Sequence, residues 1–265
     1  MNKYLSVFKT GFKQEKDATF DTVMRCIMYF IITYILIQLW GYIYGEGGTS
    51  QTINGYSLNQ MIWYLIIGEC LVNSAKCVQI TRTITNEIKT GSIAYKLNKP
   101  YNYYLYSISA FMAKSCFMIL FTVPTALILG GAFVGFPVGF TLAQILPCLL
   151  TFMLSIFLSW CLYGAVGLIA FWVQDSTPFY WIVSKLFMLF GMFFPVEFFP
   201  TWLQPIIRFS PVYSVMSGPS SLVANFSWEL FSSVAISQVV WIAIIIGMGL
   251  LIFKLGKRKV TSNGG

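Results

Sequence analysis

The sequence predicts an all-α integral membrane protein with six transmembrane helices, and three observations lead to that class. Of the 265 residues, 57% are hydrophobic and 10% are charged, whereas about a quarter of the residues in soluble domains are charged. The mean hydropathy is +0.72. The apolar residues form long unbroken runs rather than the short alternating segments of a β-barrel. A soluble enzyme, a disordered chain and a disulfide-rich secreted module are therefore excluded.

Residues 1–22 are predicted to form an interfacial amphipathic helix on the cytoplasmic side, ahead of a single transmembrane domain over 23–265. Such a helix buries its apolar stripe at the headgroup level while its lysines reach water. A disordered leader is the alternative, and a cleaved signal peptide fits badly because the polar segment is too long. The side chains concerned are three apolar residues at helical spacing and three lysines along one flank: Leu5, Phe8, Phe12, Lys9, Lys13 and Lys16.

Six apolar runs follow, each long enough to cross a bilayer, since a span needs about 20 residues. The first ends in Trp40, Tyr42 and Tyr44, which are typical of the aromatic belt at a membrane interface. The fourth is overlong and contains Pro147, so we expect its first turns to be kinked or interfacial. The predicted spans are about 26–44, 58–80, 105–133, 142–172, 178–194 and 232–255.

The distribution of lysine and arginine predicts the orientation of these spans. Most of the 17 basic residues lie in the N-terminal segment, in the 81–104 loop with the end of the second span, and at the C-terminus. By the positive-inside rule these three segments face the cytoplasm. Arg208 is the basic residue predicted on the opposite side. The sequence therefore predicts a multi-pass protein of the cell membrane, taken to be a bacterial plasma membrane, with both termini in the cytoplasm.

The chain offers little to enzymatic catalysis, and we expect neither catalytic nor metal-ligating residues. It contains no histidine, which removes the His-Glu-x-x-His zinc motif and the Ser–His pair of a hydrolase. A Gly-x-x-x-x-Gly-Lys-Ser/Thr phosphate loop is absent from the sequence, so no cofactor is expected in this chain. The six cysteines lie in apolar runs, where packing is their ordinary role. The basic residues flank spans, so nucleic acid is not an expected partner.

The loop over 81–104 is predicted to form a compact amphipathic element. Isoleucines at 80, 84 and 88 repeat every four residues, and Gly91 is placed to end that helix. A second short element, with Ile93 and Leu97 four residues apart, ends at Pro100. An element of this kind between two spans on the basic side is suited to docking on another protein. A solvated basic loop in contact with anionic lipid is the alternative.

The segment over 195–231 is predicted to be a re-entrant helical hairpin in the outer leaflet, called the outer hairpin below. Prolines at 195, 200 and 205 break a continuous span. Phe198, Phe199 and Trp202 suit the membrane interface. Broken backbone at this depth has to be buried in protein. We expect the hairpin to act as an outer gate, with Pro195, Phe198, Pro200 and Trp202 as its candidate residues.

A polar face on the second span is a candidate substrate path. Glu69, Asn73 and Lys76 are spaced four and three residues apart, which places them on one face of a helix. A carboxylate in the bilayer is costly, so Glu69 should face protein or water. Lys114 on the third span lies at a matching depth and could pair with Glu69, with Lys76 as the competing partner. The alternative is a buried structural pair between neighbouring helices.

Two motifs resemble those of the six-helix permeases of ABC exporters, the type-2 (ABC-two) family. One is the Pro-x-x-Phe-x-Pro-x-Trp-Leu pattern that begins the outer hairpin at Pro195. The other is a Glu-Ile-x-x-Gly-x-Ile-x-x-x-Leu-x-x-Pro loop after the second span, formed by Glu87, Ile88, Gly91, Ile93, Leu97 and Pro100. The resemblance extends over the whole chain, because both motifs and the basic N-terminal segment occur in family order.

The resemblance implies a transport function shared with other subunits. In that family the loop after the second span contains a coupling helix, which sits on a separate ATPase subunit that binds ATP and Mg²⁺. Two permeases, identical or homologous, pair within the lipid membrane, and their second and fifth helices line the path of an amphipathic or hydrophobic substrate such as a drug, peptide or lipid. The alternative is a stand-alone six-helix channel or ion-coupled carrier, which would favour several acids within the membrane.

Overall fold

The protein is built almost entirely of helices. The computed structural model describes residues 9–13, 19–45, 52–75, 77–137 and 140–264, and side chains as far as 259. The helices, in chain order, are α1 (Thr19–Tyr44), α2 (Leu58–Ala75), α3 (Cys77–Lys89), α4 (Ile93–Leu97), α5 (Tyr103–Phe133), α6 (Leu142–Leu168), α7 (Ala170–Val173), α8 (Thr177–Phe187), α9 (Gln204–Phe209), α10 (Gly218–Ala224) and α11 (Trp228–Gly264). Shorter turns are the π-helical Met188–Met192 and Tyr213–Ser217 and the 3₁₀ turn Val196–Phe198.

A small antiparallel β-hairpin precedes α2. Its strands are β1 (Thr52–Ile53) and β2 (Tyr56–Ser57), with Thr52 opposite Ser57. Asn54 and Gly55 connect them with φ of 49° and 86°, which is the left-handed backbone that an Asn-Gly hairpin turn requires. The Asn-Gly pair is the sequence signal for such a turn.

Five helical stretches in the described part of the chain are long and apolar enough to cross a membrane: Thr19–Tyr44, Leu58–Lys89, Tyr103–Phe133, Leu142–Val173 and Trp228–Lys259. The predicted fifth span, 178–194, is shorter. It consists of the 11 residues of α8 and the π-turn Met188–Met192, and Pro195 follows, whose missing amide hydrogen and ring disfavour a further helical turn. Among the described residues, length and hydropathy therefore identify five of the six predicted spans and leave the segment 178–194 below the usual length of a span.

The short α8 segment nevertheless runs alongside the long helix Leu58–Lys89 from one end to the other. At its start, the Ser176 hydroxyl bonds to the Thr85 hydroxyl near the end of α3. Beyond its last turn, the Gly191 carbonyl lies 2.6 Å from the Tyr64 hydroxyl near the start of α2. These two contacts fix the direction of the segment and bring its far end to the outer hairpin.

Several predicted boundaries need correction. The first spanning helix begins at Thr19 instead of 26, so residues 19–22 belong to α1 and not to the interfacial helix. The second span continues through the start of the predicted loop to Lys89, because α3 is packed against α6. The last helix begins at Trp228, which shortens the outer hairpin to about 195–227.

Only part of the predicted interfacial helix falls within the described residues. Residues 9–13 are helical, and the ring of Phe12 makes an edge contact with Phe117 of α5, with 5.4 Å between centroids. Leu5, Phe8 and Lys16 lie outside the described residues. The side chain of Phe12 is thus directed at protein, where the prediction placed it against lipid.

The two ends of the bundle differ in composition. At one end the β-hairpin meets the outer hairpin, where the Tyr56 hydroxyl donates to the Glu197 carboxylate over 3.2 Å. The turn after α5 lies at the same end, where the Trp63 indole nitrogen donates to the Gly135 carbonyl over 2.8 Å. We call this the hairpin end. At the other end the ring of Tyr103 stacks on Phe253 with 6.1 Å between centroids, among the exposed lysines and arginines at 82, 89, 254 and 257–259. We call this the basic end.

The core of the bundle forms around α2 and α6. Trp63, Tyr64 and Ile66 of α2 are almost completely buried, and the Trp160 indole of α6 donates to the Ala75 carbonyl over 3.0 Å. On α6, Gly167 brings the backbone within side-chain contact of Ile84. Small residues at such crossings permit the close helix packing on which membrane bundles depend.

Candidate functional site

The predicted coupling loop over 81–104, called the coupling segment below, contains a helix–turn–helix at the basic end. Helix α3 ends at Lys89, and Gly91 has φ of +73°, the left-handed conformation in which glycine avoids the steric cost of a side chain. The amide of Gly91 donates to the Ile88 carbonyl, and its own carbonyl accepts from Ala94, both over 3.1 Å. The backbone therefore reverses direction in a few residues and starts α4.

Glu87 holds the two helices of this segment together. One carboxylate oxygen accepts from the Lys96 ammonium over 2.5 Å, and the other accepts from the Tyr103 hydroxyl over 2.7 Å. The Lys96 ammonium also lies 5.5 Å from the ring centroid of Tyr106. Glu87 thus ties α3 to α4 and to the start of α5. Sequence reasoning identified Glu87 but missed both of its partners.

The apolar residues predicted for docking face the protein rather than the solvent. Ile93 is 1% exposed, and Ile88 and Leu97 are half-buried. The outward surface instead carries Tyr95, whose exposed fraction is 81%. Pro100, which follows α4, is also exposed. We call the outward surface of residues 90–100 the coupling surface, and Tyr95 is its largest side chain.

The polar face of α2 is built differently from the predicted ion pair. Glu69 is 5% exposed. The Asn73 amide donates to the Glu69 carbonyl over 2.9 Å and to its carboxylate over 3.1 Å. The Lys114 ammonium lies 5.2 Å from the ring centroid of Phe111, and Lys76 is outside the described residues. Of the four predicted substrate-path residues, the structure thus brings together Glu69 and Asn73.

At the hairpin end, Glu197 is the centre of a polar cluster. Its carboxylate accepts from the Arg208 guanidinium over 2.8 Å and from the Tyr56 hydroxyl over 3.2 Å. Burial, together with the charge of Glu197, raises the pKa of the Tyr56 phenol above its ordinary value. The cluster links the outer hairpin to the loop before α2. Arg208, the basic residue predicted on this side, is neutralised within the hairpin itself.

The four predicted gate residues do not form one group. Pro195 is buried, and the ring of Phe198 packs edge-on against Trp40 of α1 with 5.8 Å between centroids. Pro200 is exposed, and Trp202 is 69% exposed. Pro195 and Phe198 thus anchor the hairpin on the bundle, whereas Pro200 and Trp202 lie on its outer surface.

Tyr64 is an anchor of the hairpin that sequence reasoning missed. Its hydroxyl lies 2.6 Å from the Gly191 carbonyl, 3.1 Å from the Phe194 carbonyl and 3.0 Å from the Ser217 hydroxyl. The residues it reaches follow α8 and precede α10, so one side chain of α2 ties the start of the outer hairpin to the π-helical turn before α10. A tyrosine in an apolar run carries no sequence signal for such a role.

Replacing Tyr64 with phenylalanine is expected to loosen the outer hairpin. The ring and its packing are retained, but a buried hydroxyl with three polar neighbours is lost, which destabilises by about 1–3 kcal/mol. We expect faster proteolysis within 195–227 and a lower melting temperature in detergent. Tyr42→Phe is the control, because Tyr42 is 86% exposed. Equal proteolysis of the two variants would contradict this anchoring role.

A comparison with known protein families decides the affiliation of the chain. The family described as "ABC-2 family transporter protein" matches residues 27–264, which includes the coupling segment, the outer hairpin and all the spans except the first eight residues of α1. The chain belongs to the ABC-2 transporter family. A comparison with curated proteins gave no match.

Family membership accounts for the architecture found here. As an ABC-2 permease the chain is a multi-pass transmembrane component of a transport system. Its role is membrane transport rather than catalysis. The residues of the coupling segment that the family resemblance singled out, from Glu87 to Pro100, form one contiguous structure at the basic end.

Proposed function

We propose that this ABC-2 permease exports an amphipathic or hydrophobic substrate from the cytoplasm, driven by a separate ATPase dimer and together with a second permease copy or homologue. The observation that carries this proposal is the coupling segment. A rigid turn at Gly91 and the Glu87 clamp present Tyr95 outward at the basic end. A fixed, exposed aromatic side chain is a typical anchor for a protein partner.

The long helix Leu58–Lys89 gives a mechanical route from the ATPase to the substrate path. It spans 32 residues, and it connects the coupling segment at one end with Tyr64 and the outer hairpin at the other. A displacement of the coupling segment moves this helix as a body, because its buried faces are packed along most of their length. Glu69 and Asn73 lie between the two ends and would shift with it.

The proposed topology has six crossings with both termini in the cytoplasm of a bacterium. The α8 segment runs the length of Leu58–Lys89, and its ends match the basic and hairpin ends as an even number of crossings requires. Because the α8 segment is short for a span, the bilayer would thin around it or flanking aromatic residues would compensate for the missing length. Exposed lysines and arginines at the basic end favour the cytoplasmic side.

The polar face of α2 supports the proposed substrate class. Glu69 and Asn73 form a small polar group within an apolar bundle, so a substrate meeting this face needs both a polar and an apolar part. ATP and Mg²⁺ would be bound by the partner ATPase, which supplies the free energy of transport. Within this chain, the residues transmit motion and contact substrate.

The proposal is tested by assembling the permease with its ATPase and measuring ATP hydrolysis by the complex. Co-expression with the ATPase encoded nearest to the permease gene should give a complex whose ATP hydrolysis responds to substrate. Tyr95→Ala is expected to weaken ATPase co-purification about tenfold or more, since aromatic anchors at interfaces contribute 2 kcal/mol or above, roughly. Tyr42→Ala is the matched control, because it removes an equally exposed tyrosine at the opposite end of the bundle.

Two results would contradict the proposal. One is equal ATPase binding by the Tyr95 and Tyr42 variants, which would show that the coupling surface is not part of the permease–ATPase interface. The other is substrate or ion flux through the permease alone in proteoliposomes, without an ATPase. That second result would favour a channel or an ion-coupled carrier.

A further inference from the structure

A large apolar cavity opens beside α2 near the hairpin end. It has a volume of about 600 Å³, within the range of about 300–1,000 Å³ that is usual for small-molecule sites. None of the described residues that line it is charged. Its walls come from α2, α5, α6 and α10, with Ile67, Val123, Ile145, Phe152 and Val223 among them.

A smaller polar cavity adjoins the apolar one. It has a volume of about 110 Å³ and shares Pro137, Phe140 and Val223 with its neighbour. Its other walls carry uncharged polar side chains, namely Ser57, Asn59, Gln60, Gln144 and Asn225. The combined space is therefore amphipathic, with a large apolar part and a small polar part but no charge on the described walls.

The polar part contains hydrogen-bonding groups suited to an uncharged ligand. The Asn59 amide nitrogen donates to the Val134 carbonyl over 2.8 Å, while its buried oxygen has no partner within the described part of the chain. The side-chain oxygens of Gln60 and Gln144 accept from backbone amides. A hydroxyl group in this cavity could accept from the side-chain amide nitrogens of Gln60 and Gln144, whose oxygens are already engaged.

One wall of the apolar part is held rigid. The Trp63 indole donates to the Gly135 carbonyl over 2.8 Å, and its ring stacks on Phe136 with 6.2 Å between centroids. Gly130 faces the same ring so closely that a side chain there would collide with it. A wall fixed in this way keeps the cavity open without a ligand and reduces the ordering that binding requires.

The cavity is separate from the candidate substrate path. Trp63, Ile67 and Cys70 line it and share one face of α2 at intervals of four and three residues. Glu69 and Asn73 share another face of the same helix, roughly a quarter turn away at about 3.6 residues per turn. A ligand in the cavity would therefore not touch the polar pair.

We propose that this cavity binds one amphiphile from the leaflet at the hairpin end, with a single acyl chain and an uncharged, hydroxyl-bearing head. Monoacylglycerol has this chemistry. The apolar cavity takes the chain, and the head lies against Asn59, Gln60 and Gln144. Anionic and cationic heads are disfavoured because the described walls offer no counter-charge for a desolvated ion. This site goes beyond the proposed transport function, since it does not require the ligand to be moved.

The test uses the full chain in nanodiscs and a monoacylglycerol with a photoreactive diazirine in its chain. Labelled peptides are mapped by mass spectrometry, and we expect labels at Ile67, Val123 and Ile145. Excess unlabelled monoacylglycerol should abolish this labelling, whereas lysophosphatidylglycerol, with the same chain and an anionic head, should not. Labelling spread evenly over the lipid-facing helices, or displacement by both lipids alike, would overturn the proposal, and neither result depends on a variant.

A variant sharpens the assignment. Val223→Phe places a ring at the junction of the two cavities and should reduce labelling about tenfold or more, because losing the burial of only two methylene groups amounts to that factor. Val240→Phe is the matched control, since Val240 is 49% exposed on α11. Unchanged labelling in a folded Val223→Phe protein would also overturn the proposal. Substrate stimulation of the ATPase should be intact in both variants. A failure of the lipid-binding proposal is therefore distinguishable from a failure of the transport proposal.

Discussion

Gly91→Val is expected to uncouple ATP hydrolysis from transport while membrane insertion stays normal. Gly91 has φ of +73°, and a side chain in the left-handed region costs about 1–2 kcal/mol, with β-branched residues the least tolerated there. The turn would open to relieve that strain, and α4 with Tyr95 would move away from its present position. Substrate-stimulated ATP hydrolysis by the reconstituted permease–ATPase complex measures the effect, which we expect to be a loss of most of the stimulation.

The matched variant for this prediction is Gly91→Asn. Asparagine adopts the left-handed conformation more readily than other non-glycine residues, and no atom lies within 4 Å of the position where its Cβ would be. Coupling should therefore be largely retained in Gly91→Asn. Equal stimulation in the valine and asparagine variants would show that the conformation at Gly91 does not matter for coupling.

Gly249→Val is expected to destabilise the whole bundle. A Cβ at Gly249 would overlap the ring of Tyr104, whose hydroxyl donates to the Cys161 carbonyl over 2.7 Å. Overpacking of this kind costs about 1–3 kcal/mol, and moving Tyr104 would also break a buried hydrogen bond. Each kcal/mol lowers the melting temperature of a chain this size by about 2–4 °C. Thermal unfolding in detergent, followed by size-exclusion chromatography, measures the loss.

Gly247 is the control for this substitution, two residues earlier on the same helix. No atom lies within 4 Å of a Cβ placed there. Gly247→Val therefore carries the same change in helix propensity without the collision. If both valine variants melted at the same temperature, the contact between α11 and Tyr104 would not contribute to stability.

The residues of the coupling segment show how far local sequence reasoning reaches. The end of α3 and the short helix Ile93–Leu97 were predicted from the spacing of isoleucines and from Gly91, and the structure has them there. The side chains that point outward differ from the apolar ones predicted for docking. Ile93 contacts the core and Tyr95 the solvent, because the orientation of a five-residue helix depends on where Glu87 and Lys96 anchor it.

The fifth span and the surroundings of Glu69 show what local reasoning leaves undetermined. An apolar run predicted a fifth span over 178–194, and the structure has helix there that ends in a π-turn tied to Tyr64, which the run did not indicate. Depth along two helices suggested that Glu69 and Lys114 could pair, but the structure joins Glu69 to Asn73 on its own helix. Depth does not determine the rotation of a helix about its axis, and that rotation is set by packing against neighbours.

The sequence by itself determined the membrane class, most of the apolar runs and the turn at Gly91, because each depends on composition or on contacts a few residues apart. It also determined the excess of charge at one end of the bundle. The tertiary structure alone decided the partners of Glu87 and Glu197, the role of Tyr64 and the cavity beside Trp63. Those features join residues far apart in the chain, 141 positions for Tyr56 and Glu197 and 153 positions for Tyr64 and Ser217, and such pairs are created only when the helices pack.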